Sequence, residues 1–275
     1  MKTKELMNII RNEHSPVFKS REVFEMEYIP DIYNYRDEQL TKMATFCSSI
    51  PYDIAPKNLL LTGGNATGKT TTLKAFFNML NDEFSNVETV YINCQLYNTE
   101  NMVYSKIYKQ LFNIEDSTVG KTNTFLFKAI TNKIQEDNTI LIIGLDDFDN
   151  FKSIEGLNKM LYRFLRAHEM VGNIQISIFT VSNRNDLILN PSVDTIFNRV
   201  PIVFDQYSLE QMYHILHDRC EYGFAKGVID DELIRYVAKK SYDTGNLRYG
   251  INLLSSAGQK AEVFGSCKIL RNYLD

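Results

Sequence analysis

The segment Gly63-Gly64-Asn65-Ala66-Thr67-Gly68-Lys69-Thr70 fits the pattern G-x-x-x-x-G-K-T and decides the interpretation of the whole chain. An apolar run at residues 58–62 precedes it, and a stretch with helical spacing at residues 70–81 follows it. At such a strand-to-helix junction, glycines let backbone N–H groups surround phosphate oxygens, and the helix N-terminus adds partial positive charge. The segment therefore predicts a phosphate-binding loop for ATP or ADP. A chance glycine-rich turn is the less favoured alternative.

Two side chains of this loop have distinct predicted roles. Lys69 can reach the β- and γ-phosphates, and the Thr70 hydroxyl can complete the coordination shell of Mg²⁺. The predicted nucleotide contacts of the loop are Gly63, Gly64, Asn65, Ala66, Thr67, Gly68, Lys69, Thr70 and Thr71.

Five short apolar runs, each nearly continuous in Ile, Val, Leu and Phe, indicate buried parallel strands. They lie at residues 58–62, 89–93, 139–145, 175–182 and 200–204. Because stretches with helical spacing separate them, the pattern predicts an α/β fold with a parallel sheet flanked by helices. After residue 204 only helical signals remain. Ser208 with Gln211 three residues later is a capping-box pattern that predicts a helix start, and further helices are expected from Asp230 or Asp231 and from Asn246. We expect an arm at residues 1–16, an α/β domain at 17–205 and a small helical domain at 206–275.

The composition excludes several classes of protein. The net charge of −4 gives no molecule-wide basic signal for nucleic acid, although a local basic patch remains compatible with it. The four cysteines are far apart and predict buried, reduced thiols, not a disulfide framework or a zinc site. No apolar stretch approaches the ~20 residues needed to cross a bilayer. We therefore expect a cytoplasmic protein without a membrane partner.

Acidic residues follow the third apolar run. Asp146 is placed to hold Mg²⁺ through its water shell, and Asp147 to orient or activate an attacking water. Asn183, at the end of the next strand, is a candidate for holding that water or for contacting the γ-phosphate. The alternative is that the acids only end a strand and cap a helix, and that Asn183 is an ordinary turn residue.

These pieces, in this order, resemble an AAA+ ATPase, and more specifically the archaeal and eukaryotic origin-recognition and cell-division-control replication initiators. The resemblance rests on VFKSREVF at 17–24, EYIP at 27–30, YRDEQL at 35–40, VYINC at 90–94, FDQY at 204–207, ILHDR at 215–219 and GNLR at 245–248. It implies a five-stranded AAA+ sheet with a helical lid. It also implies that Arg248 reaches the γ-phosphate as sensor 2. The further nucleotide contacts that it implies are Tyr28, Ile29, Pro30, Arg36 and Tyr207.

Departures from the family pattern bear on the rate of hydrolysis. Asp147 stands where the family usually has glutamate, so its carboxylate is roughly 1.5 Å shorter in reach. A misplacement of that size can lower the rate on the order of a hundredfold. Ala66 replaces a loop glycine, and Asn246 replaces the lid aspartate. We therefore expect tight ATP binding and slow hydrolysis.

The resemblance also implies partners. It predicts an ATP-binding protein of replication initiation that associates with origin DNA, the replicative helicase, itself or related initiator subunits. Relatives continue into a winged-helix domain that reads DNA, whereas this chain ends at Asp275, so we expect a shortened relative or a fragment. A nucleotide-gated regulatory module without direct DNA binding remains an alternative. Another AAA+ machine, such as a clamp loader, is the least favoured hypothesis.

Overall fold

The computed structural model describes residues 15–30, 35–115, 118–183 and 189–275. Most of the predicted N-terminal arm, residues 1–14, lies outside the described residues. Among the described helices, none is long and apolar enough to span a lipid bilayer.

A five-stranded parallel sheet forms the centre of the α/β part. Its strands are β1 Leu59–Gly63, β2 Val87–Asn93, β3 Ile140–Asp146, β4 Gln175–Ser182 and β5 Val200–Phe204, in the spatial order β2-β3-β4-β1-β5. The predicted fold class is confirmed. Strand β2 begins two residues earlier than predicted, at Val87, because half-exposed Glu88, which accepts a hydrogen bond from Gln110, interrupts the apolar run of this edge strand.

Seven helices of the described chain accompany the sheet. They are α1 Asp37–Phe46, α2 Lys69–Glu83, α3 Glu100–Leu111, α4 Asn123–Glu136, α5 Ile154–Leu165, α6 Ala167–Val171 and α7 Pro191–Phe197. Side-chain oxygens of Thr99, Thr122 and Ser153 cap the N-termini of α3, α4 and α5, respectively, and so satisfy backbone N–H groups that a helix start leaves free.

The two faces of the sheet bury two apolar clusters. Successive side chains of a strand point to opposite faces, so β3 contributes Leu141, Ile143 and Leu145 to one cluster and Ile140 and Ile142 to the other. Every residue of β3 is buried. This explains why β3 reads as a continuous apolar run and why its end lies deep within the fold.

The described chain divides into two compact units. The first, called here the α/β unit, consists of Arg36–Gly64 and Gly68–Asp205. The second, called the helical unit, combines Gln206–Asp275 with Asn65–Thr67 and the described residues up to Tyr35. We expected residues 17–30 and Tyr35 in the domain that contains the sheet, whereas their contacts group them with the C-terminal helices.

The helical unit contains three long helices, α8 Leu209–Gly223, α9 Asp231–Asp243 and α10 Leu247–Val263. The predicted capping box at the start of α8 is present, since Ser208 and Gln211 exchange hydrogen bonds between side chain and backbone. Buried residues of all three helices form one core. Cys267, which follows this bundle, is exposed, so the expectation of four buried cysteines was wrong for this residue.

Aromatic rings attach the N-terminal segment to these helices. Phe18 and Phe224 form an antiparallel bridge, and the rings of Phe24 and Phe224 lie 4.5 Å apart between centroids. Two glycines make room, because a Cβ on Gly223 would lie 2.3 Å from Phe24 and one on Gly258 would lie 2.5 Å from Phe18. Val17, Phe18 and Phe24 are therefore part of the helical core.

Gly63→Ala is expected to lower the free energy of unfolding by about 3 kcal/mol. A Cβ at Gly63 would lie 2.2 Å from the carbonyl oxygen of Phe204, and its φ of +150° is unfavourable for an L residue. Gly120→Ala is the matched control: φ is +84° with nothing within 4 Å, so backbone strain alone should cost about 1 kcal/mol. Urea unfolding measures both values, and equal losses would contradict the close approach.

Candidate nucleotide-binding site

The predicted phosphate-binding loop connects β1 to α2. Gly68 occupies the N-cap of α2 with φ of +88°, and the hydroxyl of Thr72 donates to its carbonyl at 2.8 Å. Ala66 also has a positive φ, +56°, although it carries a Cβ. Left-handed backbone at two positions turns the chain sharply between strand and helix. A helix N-terminus is thereby directed at the loop, as a phosphate site requires.

Lys69 is held by the loop itself. Its side chain is buried, and its ammonium donates to the carbonyls of Gly63 at 2.9 Å and Gly64 at 2.6 Å. These bonds stabilise a buried positive charge at the end of β1. The arrangement places one fixed cation beside the backbone amides of the loop.

Thr70 and Asp146 meet at the carboxyl ends of β1 and β3. The Thr70 hydroxyl donates to Asp146 Oδ2 at 2.9 Å and lies 3.2 Å from Oδ1. The hydroxyl of Tyr91, on β2, donates to the same Oδ2 at 2.6 Å. Asp146 is 2% exposed. A hydroxyl and a carboxylate are the hard oxygen donors that Mg²⁺ prefers, so this pair fits the predicted metal site.

Asp147 is held apart from Asp146. Its backbone is left-handed, with φ of +51°, and its Oδ2 accepts a hydrogen bond from Gln95 Nε2 at 2.8 Å. Burial, and then the negative charges of Asp146 and Asp149, raise the pKa of the Asp147 carboxyl above its ordinary value. A raised pKa makes this carboxylate a better proton acceptor than an exposed aspartate.

Asn183 directly follows β4, which lies between β1 and β3 in the sheet. Because parallel strands end at the same edge, Asn183 lies at the edge that carries the loop and Asp146. Its side chain is exposed. The fold thus brings Asn183 to the same edge of the sheet as Asp146, and its role toward a lytic water stays a prediction.

Arg36 occupies a structural position at the start of α1. It is 4% exposed, its Nη2 donates to the carbonyl of Asp205 at 2.8 Å, and its guanidinium lies 5.7 Å from the ring centroid of Phe204. These contacts tie the first helix to the end of β5. A nucleotide role for Arg36 stays a prediction.

The remaining predicted contacts belong to the helical unit. Arg219 of α8 stacks 4.6 Å from the ring centroid of Tyr28 and donates to the carbonyls of Val23 and Tyr28, and Tyr207 is buried in the same core. Ile29 and Pro30 follow Tyr28 and are half-buried. These contacts fix the backbone of the segment that the resemblance assigns to the adenine.

Arg248 lies in the first turn of α10 and is exposed. The backbone N–H of Arg248 donates a hydrogen bond to the side-chain oxygen of Asn246 at 3.0 Å. Asparagine therefore caps this helix as aspartate would, but without a negative charge.

Two side chains at the site were missed by sequence reasoning, Tyr91 and Gln95. A signal for Tyr91 existed, because β2 and β3 are paired with Tyr91 opposite Gly144, which places Tyr91 on the face that Asp146 also occupies. Using this signal requires the order of the strands and the register of β2 against β3, which the structure supplies. Gln95 lies beyond the end of β2, where no period constrains the direction of a side chain.

Comparisons with known proteins agree with this geometry. Residues 55–188 match the family model of an AAA domain, and residues 213–274 match that of the Cdc6 AAA+ ATPase-type lid domain. The ORC1-type DNA replication protein 2 of Methanothermobacter thermautotrophicus is 33% identical over 100% of this chain and 73% of its own length. The protein of the same name from Methanosarcina mazei is 35% identical over 92% of this chain and 69% of its own length.

Solved structures share the fold. The Aeropyrum pernix ORC1 protein, in complex with DNA, superposes with a TM-score of 0.83 at 24% identity, covering 95% of this chain and 69% of that one. Cdc6p from Pyrobaculum aerophilum superposes with a TM-score of 0.78 at 22% identity, covering 92% of this chain and 69% of that one. A phosphate-binding loop within an AAA+ fold makes this a nucleotide-binding protein.

Ala66→Gly is expected to raise the free energy of unfolding by about 0.5 to 1 kcal/mol. Glycine removes the strain of a left-handed alanine, ~1–2 kcal/mol, and part of this gain is lost to the greater freedom of the unfolded chain. Ala44→Gly, on the exposed face of α1, should instead destabilise by about 1 kcal/mol. Urea unfolding compares them, and changes of the same sign would refute the strain at Ala66.

Proposed function

This chain belongs to the family of ORC1-type DNA replication proteins, and we propose that it binds ATP with Mg²⁺, hydrolyses it slowly and acts as a nucleotide switch in replication initiation. In this proposal residues 17–205 act as the nucleotide-binding domain and residues 206–275 as its lid. The observation that carries it is the meeting of Lys69, Thr70 and Asp146 at one edge of the sheet.

Each of these side chains suits one part of a magnesium nucleotide. Backbone N–H groups of the loop and the Lys69 ammonium bind phosphate oxygens, and Lys69 is already positioned by the carbonyls of Gly63 and Gly64. Thr70 and Asp146 would hold Mg²⁺, which supplies a positive charge that neutralises the phosphates. Thr71, in the first turn of α2, adds a backbone N–H at the helix N-terminus.

Slow hydrolysis follows from the environment of Asp147. Its short side chain limits its reach, and Gln95 holds its carboxylate. Left-handed backbone also favours aspartate over glutamate at this position, because a short polar side chain tolerates that conformation best. Asn183 would help to hold the lytic water, and Arg248 would contact the γ-phosphate from the lid.

DNA and protein partners are part of the same proposal. Structures of the Aeropyrum pernix ORC1 protein and of Drosophila ORC both contain DNA, which supports DNA binding for this chain. Family membership supports association with origin duplex, with the replicative helicase and with initiator subunits of the same kind. The net charge of −4 favours a second candidate, a nucleotide-gated module that binds no DNA itself.

Nucleotide binding and hydrolysis test the site directly. Lys69→Ala should weaken ATP binding by about 10- to 100-fold in a fluorescent-nucleotide titration, because it removes a charge-assisted hydrogen bond to phosphate. Native turnover is expected below ~1 per second. Asp147→Glu should raise turnover, on the order of a hundredfold at most, because it restores the reach of the carboxylate.

Glutamate at position 147 is strained in the left-handed backbone conformation, which could distort the site. The affinity of Asp147→Glu for ATP is therefore measured as a control, and an affinity equal to that of the native protein shows that the site is intact. Unchanged ATP affinity in Lys69→Ala would refute the phosphate-binding role of the loop. A native turnover well above ~1 per second would refute only the slow hydrolysis.

A gel-shift titration on origin duplex separates the two candidates. We expect a shift that strengthens with ATP and Mg²⁺ and is lost in Lys69→Ala, because the switch requires bound nucleotide. Raising the salt concentration should weaken the complex, since phosphate contacts release counterions. Absence of any nucleotide-dependent shift would contradict the initiator role and support the module.

A further inference from the structure

The hydroxyl of Tyr91 is buried against the predicted magnesium ligand Asp146. We propose that Tyr91 is a positioning residue that orients Asp146 for Mg²⁺ and so sets the magnesium dependence of nucleotide binding. This inference rests on the proposed function, because it concerns the same metal site. It assigns a role to a residue outside the loop and outside the acidic strand end.

The sheet brings Tyr91 to this position. In the parallel ladder of β2 and β3, Tyr91 lies opposite Gly144, and Asn93 lies opposite Asp146. Side chains two residues apart share a face, so Tyr91 and Asp146 project from the same side of neighbouring strands. A tyrosine is long enough to span this diagonal, and its hydroxyl reaches Oδ2 at 2.6 Å.

The tyrosine ring is itself held in place. It packs half-buried against the apolar cluster that includes Ile142 and Phe77. The ammonium of Lys74, on α2, lies 4.5 Å from the ring centroid, within the range of a cation–π interaction. Because the ring is held in place, the Tyr91 hydroxyl is a donor in a fixed position. The Asp146 carboxylate is therefore oriented by Tyr91 of β2 as well as by Thr70.

Both donors converge on one oxygen of Asp146. Tyr91 and Thr70 donate to Oδ2, and an ionised carboxylate can accept both bonds. With its hydrogen directed at Asp146, the Thr70 hydroxyl keeps its lone pairs available for a cation. Removing the Tyr91 hydroxyl would take away one of these two donors, so the carboxylate would be oriented less tightly, and with it the lone pairs of Thr70.

Mutating a residue that hydrogen-bonds to a metal ligand, without contacting the metal itself, typically lowers metal affinity by about 10- to 100-fold. Tyr91→Phe keeps the ring, its packing and the Lys74 contact, and it removes only the hydroxyl. We therefore expect this variant to need at least about tenfold more Mg²⁺ for half-maximal strengthening of ATP binding. Its affinity for ATP in EDTA should equal that of the native protein, because the loop amides and Lys69 are untouched.

The experiment is a titration of MgCl₂ against purified protein with a fluorescent ATP analogue, repeated in EDTA. Tyr108→Phe is the matched control, since Tyr108 is also half-buried in the α/β unit and its hydroxyl contacts Lys121 Nζ at 3.1 Å, away from the site. The control should behave as the native protein. A thermal-unfolding scan in EDTA checks that each variant is folded.

A double-mutant cycle separates positioning from a general structural effect. Asp146→Asn should abolish most of the magnesium response, and adding Tyr91→Phe to it should change nothing further, because the hydroxyl acts through Asp146. Equal magnesium curves for native protein and Tyr91→Phe would overturn the inference, as would an equal loss of ATP affinity with and without Mg²⁺. If native protein itself bound ATP without any response to Mg²⁺, the proposed function would fail instead.

Discussion

The hydrogen bond between Thr70 and Asp146 connects two segments far apart in the sequence, and the site depends on it. Thr70 lies in the first turn of α2, whereas Asp146 ends β3. In the sheet β4 separates β1 from β3, so this contact crosses above the end of β4. The carboxyl ends of parallel strands are where α/β proteins bind ligands, and the contact lies at that edge of the sheet.

Three carboxylates and one ammonium interact at this edge of the sheet. Burial, and then the negative charges of Asp146 and Asp149, raise the pKa of Asp147, whereas the hydrogen bond from Gln95 and the positive charge of Lys69 lower it. Hydrogen bonds assign the acids to different partners, with Tyr91 and Thr70 on Asp146 and Gln95 on Asp147. In the proposed function a divalent cation would relieve the repulsion between these carboxylates, and hard oxygen ligands suit Mg²⁺.

The helical unit depends on a different kind of constraint, close packing of aromatic rings. Phe18, Phe24 and Phe224 require the missing side chains of Gly223 and Gly258. The N-terminal segment is also bound by hydrogen bonds between its backbone and α8, including Lys19 N to the carbonyl of Gly223 at 2.8 Å. A displacement of α8 would carry this segment with it, because both belong to one buried core.

Much of the α/β architecture was predictable from sequence because its signals are local. Continuous apolar runs identify strands buried on both faces, and the runs at 175–182 and 200–204 coincide with β4 and β5. The pattern around Lys69 predicts a phosphate loop, because glycine placement and a following helix are properties of a few neighbouring residues. Ser208 and Gln211 predict their capping box for the same reason.

Tertiary structure alone decided the partners of those residues. Tyr91 bonds to Asp146 because β2 pairs with β3 in one register, and register depends on long-range hydrogen bonds that no local pattern encodes. Residues 17–30 look like a start to the sheet domain, yet they pack on helices nearly two hundred residues later, because Phe224 and two glycines offer a complementary surface. The sequence by itself determined which elements form and where the phosphate-binding loop is predicted. The packing of distant segments decided how the carboxylates are oriented, since side-chain direction is set by neighbours in space.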